Sequence, residues 1–225
     1  MSTPRSTLPR GPRDTRSWYR EADALEQVDH ALVDFVAAHA GHEVVDLGCG
    51  LGGYSKVLGD RGFDVLAYDV LPEYVARARE LGVRAEHYDG ERLPLADGAV
   101  DSVFLLEVLE HLEDPARLLR EARRVARRNV LVSTPNCTED FGWVPIDYTH
   151  MLEVDHRQFF TQASLGALLD GVFSSSDVQQ DIPLDRHIAG LVLPRPLRPL
   201  YRFLDRRGRV PQRYFFRLLG RAPAQ

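Results

Sequence analysis

The stretch Val44 to Ser55, reading V-V-D-L-G-C-G-L-G-G-Y-S, constrains this chain more than any other. A short apolar run (Val44, Val45, Leu47) carries one acid, Asp46, into a glycine-rich turn at Gly48, Gly50, Gly52 and Gly53, and helix-compatible residues follow from Tyr54. This pattern predicts a strand, a tight turn and a helix start. Glycine supplies positive φ and lets the backbone come close to a ligand, while a helix N-terminus offers unpaired N–H groups. A nucleoside cofactor suits such a turn.

Gly48, Gly50 and Gly53 also satisfy the G-x-G-x-x-G spacing used for dinucleotides. In that arrangement a pyrophosphate lies over the loop, and a carboxylate two residues before the first glycine, where Asp46 stands, repels it. The same carboxylate attracts an ammonium, and a nucleoside with a cationic amino-acid tail is S-adenosylmethionine (SAM). An ordinary strand-to-helix turn without a ligand explains the glycines but not the acid. The residues Asp46, Gly48, Gly50 and Gly52 resemble motif I of the class I SAM-dependent methyltransferases, D-x-G-x-G-x-G. The resemblance implies a doubly wound α/β fold with a mostly parallel, seven-stranded, Rossmann-like sheet, SAM as cofactor and S-adenosylhomocysteine as product.

The same frame orders the following segments. A strand over Asp64–Tyr68 ends at Asp69, an acid about twenty residues past the first glycine, suited to accept from both ribose hydroxyls; an N-cap for the helix beginning near Pro72 suits the same position. Helices are expected over Tyr54–Arg61 and Tyr74–Leu81, with a third strand over Arg84–Tyr88. In the resembled family an acid in the next turn reaches the adenine amino group, which Asp89 matches, with Gly90 beside it. The block from Asp97 to Pro115 predicts a buried fourth strand, Val100–Leu106, with Glu107 just past its carboxyl end. Ligands of open α/β sheets bind beyond the carboxyl ends of the strands, where Asp46, Asp69, Asp89 and Glu107 converge. The cofactor set implied is Asp46, Gly48, Gly50, Gly52, Tyr54, Asp69, Val70, Asp89, Gly90 and Glu107.

The wording of this block also resembles a small-molecule branch that includes quinone-ring methylating enzymes, in which the histidine matching His111 lies near the methyl donor; a surface residue before a helix is the alternative. Ala116–Arg127 reads as an amphipathic helix and Val130–Val132 as the fifth strand, joined through A-R-R-N where the family often has K-P-G-G. A tighter link is the expected consequence. Residues 137–160 form a long loop of aromatic and titratable residues, the kind that is usually functional. Its ending, D-H-x-x-F-F-T, resembles methyltransferases of saccharide and natural-product gene clusters. A histidine there suits deprotonation of a hydroxyl near neutral pH. The catalytic candidates are His150, with Asp147 three residues earlier to orient it, and then His156 and His111; His156 equally suits a purely structural hydrogen bond. A cation held by His150, Glu153, Asp155 and His156 and lowering a hydroxyl pKa is the alternative to such a base, but no ligand spacing is diagnostic of a metal, and none is expected.

Residues 1–15, rich in Pro, Arg, Ser and Thr, are expected to be disordered, 16–193 to form the SAM-binding domain with 137–160 as its substrate loop, and 194–225 a basic amphipathic cap or docking segment. Within the domain, a helix with Leu25, Val28, Leu32, Phe35 and Val36 on one face precedes the first strand, and Trp18 and Tyr19 at its entrance suit either packing or covering the cofactor. Val172–Ile182 and Ile188–Leu193 are expected to close the sheet, and Leu200–Leu204 and Tyr214–Leu219 to be short helices. Residues 186–225 hold ten arginines against one acid, Asp205, whereas residues 21–185 hold 31 acids against 13 bases. An acidic body repels a polyanion, so a cap, or a peripheral membrane or protein contact, suits the tail better than nucleic acid. Cys49 and Cys137 make neither a disulfide framework nor a zinc spacing, and no apolar run spans a bilayer, so a cytoplasmic enzyme is expected, monomeric or a homodimer.

The function expected is methyl transfer from SAM to a hydroxyl, or to a nitrogen or carbon nucleophile, of a small molecule such as a sugar or natural product. A quinone or lipid-linked acceptor is the alternative, and a SAM-binding partner protein without turnover is a reading of a different class.

Overall fold

The computed structural model describes residues 23–137, 156–183, 195–197, 199–200 and 215–225. Helix α1 spans His30–His39 and leads into strand β1, Glu43–Leu47; the glycine turn opens α2, Gly53–Asp60. Then follow β2 (Asp64–Asp69), α3 (Pro72–Glu80), β3 (Ala85–His87), β4 (Val100–Leu106), a single 3-10 turn (Leu109–His111), α4 (Pro115–Val125) and β5 (Ala126–Pro135). After the loop come α5 (Gln162–Asp170), β6 (Asp177–Pro183) and β7 (Phe215–Pro223).

The strands form one seven-stranded sheet in the order β3-β2-β1-β4-β5-β7-β6. Strands β1 to β5 pair in parallel, and β7 runs antiparallel to both β5 and β6. The order reverses between β1 and β4, which makes the crevice beyond their carboxyl ends the place where a doubly wound sheet takes its ligand.

Both faces of the sheet are covered, and the strands show it by alternation. Val44, Phe104, Leu106 and Leu131 pack with Leu32, Val33, Val36 of α1 and Leu58 of α2. Their neighbours Val45, Val103, Leu105, Val130 and Val132 face the other way, onto Leu118, Leu119 and Ala122 of α4 and Leu165 and Leu169 of α5. Successive side chains of a strand point to opposite faces, so a run buried at every position lies centrally in the sheet with both of its faces covered. Val75 and Ala78 of α3 close the β2–β3 edge over Ala67 and Ala85.

Three elements depart from expectation. The fifth strand begins at Ala126, directly after α4, because Ala126 and Asn129 pair with Val100 and Ser102, and Asn129 Nδ2 donates to the His39 carbonyl at 2.9 Å. The polar residues between helix and strand are therefore strand, and the link is as tight as its missing glycines imply. The sixth strand starts at Asp177; Val172 and Phe173 instead close the end of α5 with bonds to the Leu169 carbonyl. Most consequential, the stretch expected as a helix at Tyr214–Leu219 enters the sheet from Phe215 as β7. Arginines four apart, Arg217 and Arg221, suit a helix face and one side of a strand equally, and periodicity over so few residues does not separate the two. As a strand, Leu218 and Ala222 enter the core under α5, and Gly220 allows both that helix and β5 to approach: a Cβ there would lie 2.9 Å from Leu169 Cδ1 and 2.6 Å from Val132 Cγ2. The expected strand at Ile188–Leu193, the helix at Leu200–Leu204 beyond its first residue, and Trp18 and Tyr19 lie outside the described residues. Among the described residues no helix is long and apolar enough to cross a membrane.

Candidate functional site

The glycine turn is held by backbone hydrogen bonds around left-handed glycines. The N–H groups of Gly48 and Cys49 both donate to the Tyr68 carbonyl, at 2.8 and 3.0 Å, and Gly52 N–H donates to Cys49 O at 2.9 Å. Gly48, Gly50 and Gly52 take φ of 89°, 52° and 83°, where a side chain is strained. Space is short as well: a Cβ on Gly48 would lie 2.7 Å from Val108 Cγ2, and one on Gly52 2.7 Å from Ala78 Cβ.

Two buried carboxylates flank this turn. Asp46, 3 % exposed, accepts a 2.6 Å bond from Ser55 Oγ in the first turn of α2. Burial, reinforced by the charge of Asp69 and partly offset by the Ser55 hydroxyl, pushes its carboxyl up to about 7. Asp69 accepts from Gly50 N–H through Oδ2 and from Leu71 N–H through Oδ1, both at 2.9 Å, and burial holds its carboxyl above the usual range despite these donors. A carboxylate has about four acceptor sites, so each oxygen retains capacity for a ligand hydroxyl. Val70, next to Asp69, is an exposed apolar side chain, and the Gly90 position lies against it, a Cβ there falling 3.4 Å from Val70 Cγ1. Asp89 accepts from the N–H groups of Glu91 and Arg92 through Oδ1, which lowers its carboxyl. Val70, Asp89 and Gly90 thus gather beside Asp69 as an apolar contact with an acceptor at its edge. Cys49 is no nucleophile: burial and two neighbouring carboxylates hold its thiol firmly protonated.

Glu107, past the end of β4, has φ of 56°, the one non-glycine residue with positive φ among the described residues. Ser133 holds it there. Glu107 N–H donates to both Ser133 O and Oγ at 3.1 Å, and that hydroxyl donates to Glu107 Oε1 at 2.6 Å. Strain of this kind persists where surrounding bonds over-determine it, and it gathers at functional sites. Tyr54 lies close enough to Glu107 for its charge, after burial, to help push the phenol up to about 12.

The next residues were not legible from spacing. Tyr54 OH accepts from Asp29 N–H at 3.3 Å, and Asp29, N-cap of α1, also accepts from Arg217 Nη1 at 2.6 Å. Arg217 Nη2 reaches Asp181 at 2.6 Å, so one buried guanidinium ties the first helix to β6 and β7 beside the glycine-turn helix.

Beyond Glu107, the 3-10 turn presents Glu110, 1 % exposed, and His111. Thr134 Oγ1 donates to Glu110 Oε2 at 3.3 Å. His156 returns to this turn, its ring packing edge to face on His111 with centroids 4.8 Å apart. His111 and His156 are therefore brought together at the rim. Glu110 joins them, the three offering one ligand atom each within 4.8 Å of one another; spacing does not single out Glu110, because a Glu beside a histidine in a helical run looks like ordinary surface. Asp147 and His150 lie outside the described residues, as does most of the loop 137–160.

Comparison with known proteins agrees with this geometry. A family model described as a methyltransferase domain matches residues 45–133. The ubiquinone biosynthesis O-methyltransferase of Pseudomonas aeruginosa is 31 % identical over 173 residues, covering 68 % of this chain and 75 % of that protein. The malonyl-[acyl-carrier protein] O-methyltransferase of Serratia marcescens is 35 % identical over 113 residues, 48 % of this chain and 44 % of its own length. Among solved structures, a SAM-dependent methyltransferase from Archaeoglobus fulgidus superposes with a TM-score of 0.68 at 16 % identity, covering 93 % of this chain and 97 % of that one.

Proposed function

The chain belongs to the class I SAM-dependent methyltransferases, and from that premise we propose that it methylates a hydroxyl of a small molecule, a sugar or natural product. The observation that carries the cofactor half is the pairing of a buried Asp46, whose carboxyl sits near 7, with Asp69 across the glycine turn. The residues fit the cofactor: a carboxylate that is costly to ionise when buried gains from an ammonium, Asp69 keeps acceptor capacity for two hydroxyls, and the glycines leave no Cβ between backbone and ligand. Bound SAM supplies a methyl group on a cationic sulfur that a nucleophile displaces in line.

This chain's own residues then position. Asp46 and the turn would hold the amino-acid end, Asp69 the ribose, and Val70, Asp89 and Gly90 the base, beside the rim that carries Glu107, Glu110, His111 and His156. Alignment of the nucleophile with the methyl and the leaving sulfur provides most of the acceleration, and removal of one hydroxyl proton remains. Glu107, fixed by Ser133, is in this reading a wall of the cofactor pocket. We place the enzyme in the cytoplasm.

Relatives bearing the name of ubiquinone O-methylation favour a second acceptor, a quinone or lipid-linked phenol. Incubation with methyl-labelled SAM and fractionated small-molecule extract tests the class. Label is expected in polar hydroxylated metabolites; label confined to the lipid phase selects the second acceptor, and label confined to RNA or protein contradicts both.

A further inference from the structure

We propose that Glu110, His111 and His156 are the protein ligands of a divalent cation that binds and activates the acceptor oxygen. This deepens the reading above and rests on it for the identity of the reaction, though not for the existence of the site.

Glu110 and His111 are neighbours in one 3-10 turn and His156 comes from 45 residues further along the chain, yet the three offer ligand atoms within 4.8 Å of one another. Their meeting is built by main chain. The Glu110 carbonyl accepts from the N–H groups of Arg157 and Gln158, at 2.7 and 2.9 Å, and Gln158 Nε2 reaches the carbonyl of Leu112 at 3.3 Å. A bridge between Asn136 and Phe160, with Cys137 N–H donating to Phe160 O at 2.7 Å, anchors the same strip to the end of β5. The backbone on either side of the contact is thus fixed, and His156 is delivered to His111.

Burial adds a second observation. Glu110 is 1 % exposed, and carboxylates so far from water are paired or coordinate metals because isolation is costly. Thr134 Oγ1 donates to its Oε2 at 3.3 Å, and the same carboxylate stands in one 4.8 Å group with both imidazoles. Ligand atoms about 2.0–2.2 Å from an ion lie roughly 3–3.5 Å apart, so binding would draw the group in from its present 4.8 Å, and the two imidazole rings, both half-buried, have freedom to turn.

The donor chemistry selects the ion. Two imidazole nitrogens and one carboxylate suit zinc, manganese, cobalt or ferrous iron, whereas magnesium and calcium prefer oxygen alone. Three protein ligands leave coordination positions open for the acceptor. There the cation lowers the pKa of the bound hydroxyl. Its proton passes to water, the oxygen forms a bond to the methyl carbon, and the carbon–sulfur bond breaks with its electron pair on sulfur. The products are a methyl ether, S-adenosylhomocysteine and one proton.

Cobalt is the probe. Chelator-stripped full-length protein titrated with Co2+ is expected to bind one ion with visible ligand-field bands that Zn2+ removes, and SAM affinity measured by calorimetry should be unchanged by the metal. His156→Ala and His111→Asn, each checked for folding by SAM affinity, should weaken Co2+ by at least the about 10–100-fold that loss of a mere supporting partner costs. No stoichiometric Co2+ binding, or binding unaffected in both variants, overturns the site. Two further outcomes separate it from the functional reading. Cobalt bound through the histidines, with no hydroxyl methylated by the metal-loaded enzyme, would sustain the site and sink the reaction. Full methyl transfer after chelation would sustain the reaction and sink the site.

Discussion

Gly50 N–H donates to Asp69 Oδ2 at 2.9 Å, joining the turn after β1 to the end of β2. The residue proposed to hold ribose is therefore already oriented by the turn proposed to admit the amino-acid end. Preorganisation of this kind lowers the cost of ordering groups on binding. Asp69→Asn keeps the shape and one acceptor oxygen but loses the charge, so SAM affinity should fall by less than in Asp69→Ala. Calorimetry on both variants checks the order, and equal affinities would show that Asp69 only shapes the turn.

Asp46 makes SAM binding depend on pH. Its carboxyl is raised from 3.8 to about 7, so the charged form is disfavoured in the folded chain. The stability this group contributes is full below 3.8 and is lost as pH rises through about 7. An ammonium ligand reverses the preference. SAM affinity should be about tenfold weaker at pH 6 than at pH 8, with proton release on binding near neutrality. Asp46→Asn should flatten both the affinity profile and this part of the stability profile, read by calorimetry in buffers of different ionisation enthalpy and by thermal unfolding.

Gly48 is held by conformation and by space. Ala at this position meets φ of 89° and a contact of 2.7 Å with Val108 Cγ2, which together should cost roughly 2–4 kcal/mol. Adding Val108→Ala should remove the crowding but not the dihedral strain, so the double variant should recover only part of the loss relative to Val108→Ala alone. Chemical denaturation measures all three, and full recovery would show that crowding alone dictates glycine.

The C-terminal strand belongs to the core. Leu218 is fully buried, so Leu218→Ala should cost about 2–5 kcal/mol. Leu200, 56 % exposed, should tolerate the same change within about 0.5 kcal/mol. Equal small effects would return residues 215–223 to a peripheral role.

How far each feature could be read beforehand follows from how local its cause is. Strand β4 and the glycine turn declare themselves within a dozen residues, through unbroken apolar character and through glycines after an acid, and both stand where expected. Strand β7 does not, because what makes it a strand is pairing with β5 and β6 from a remote part of the chain, while its arginines mimic a helix face. Arg217 looked like one more basic tail residue, and only the fold shows it between Asp29 and Asp181. Glu107 is legible as a rim acid, but its left-handed backbone is set by Ser133, 26 residues further on in the paired strand β5. His111 and His156 were separate candidates in the sequence, and their contact, with Glu110 beneath, needed the strip 156–160 to be laid against the 3-10 turn.

The central claim, that this rim holds SAM through Asp46 and Asp69, is tested most directly by titrating the full-length protein with SAM, S-adenosylhomocysteine and NADH in a calorimeter, alongside Asp69→Ala. One SAM or S-adenosylhomocysteine per chain is expected, with no NADH bound and affinity lowered about a hundredfold in the variant, equivalent to about 2–3 kcal/mol. Binding of NADH without SAM, or SAM affinity indifferent to Asp69→Ala, would contradict it.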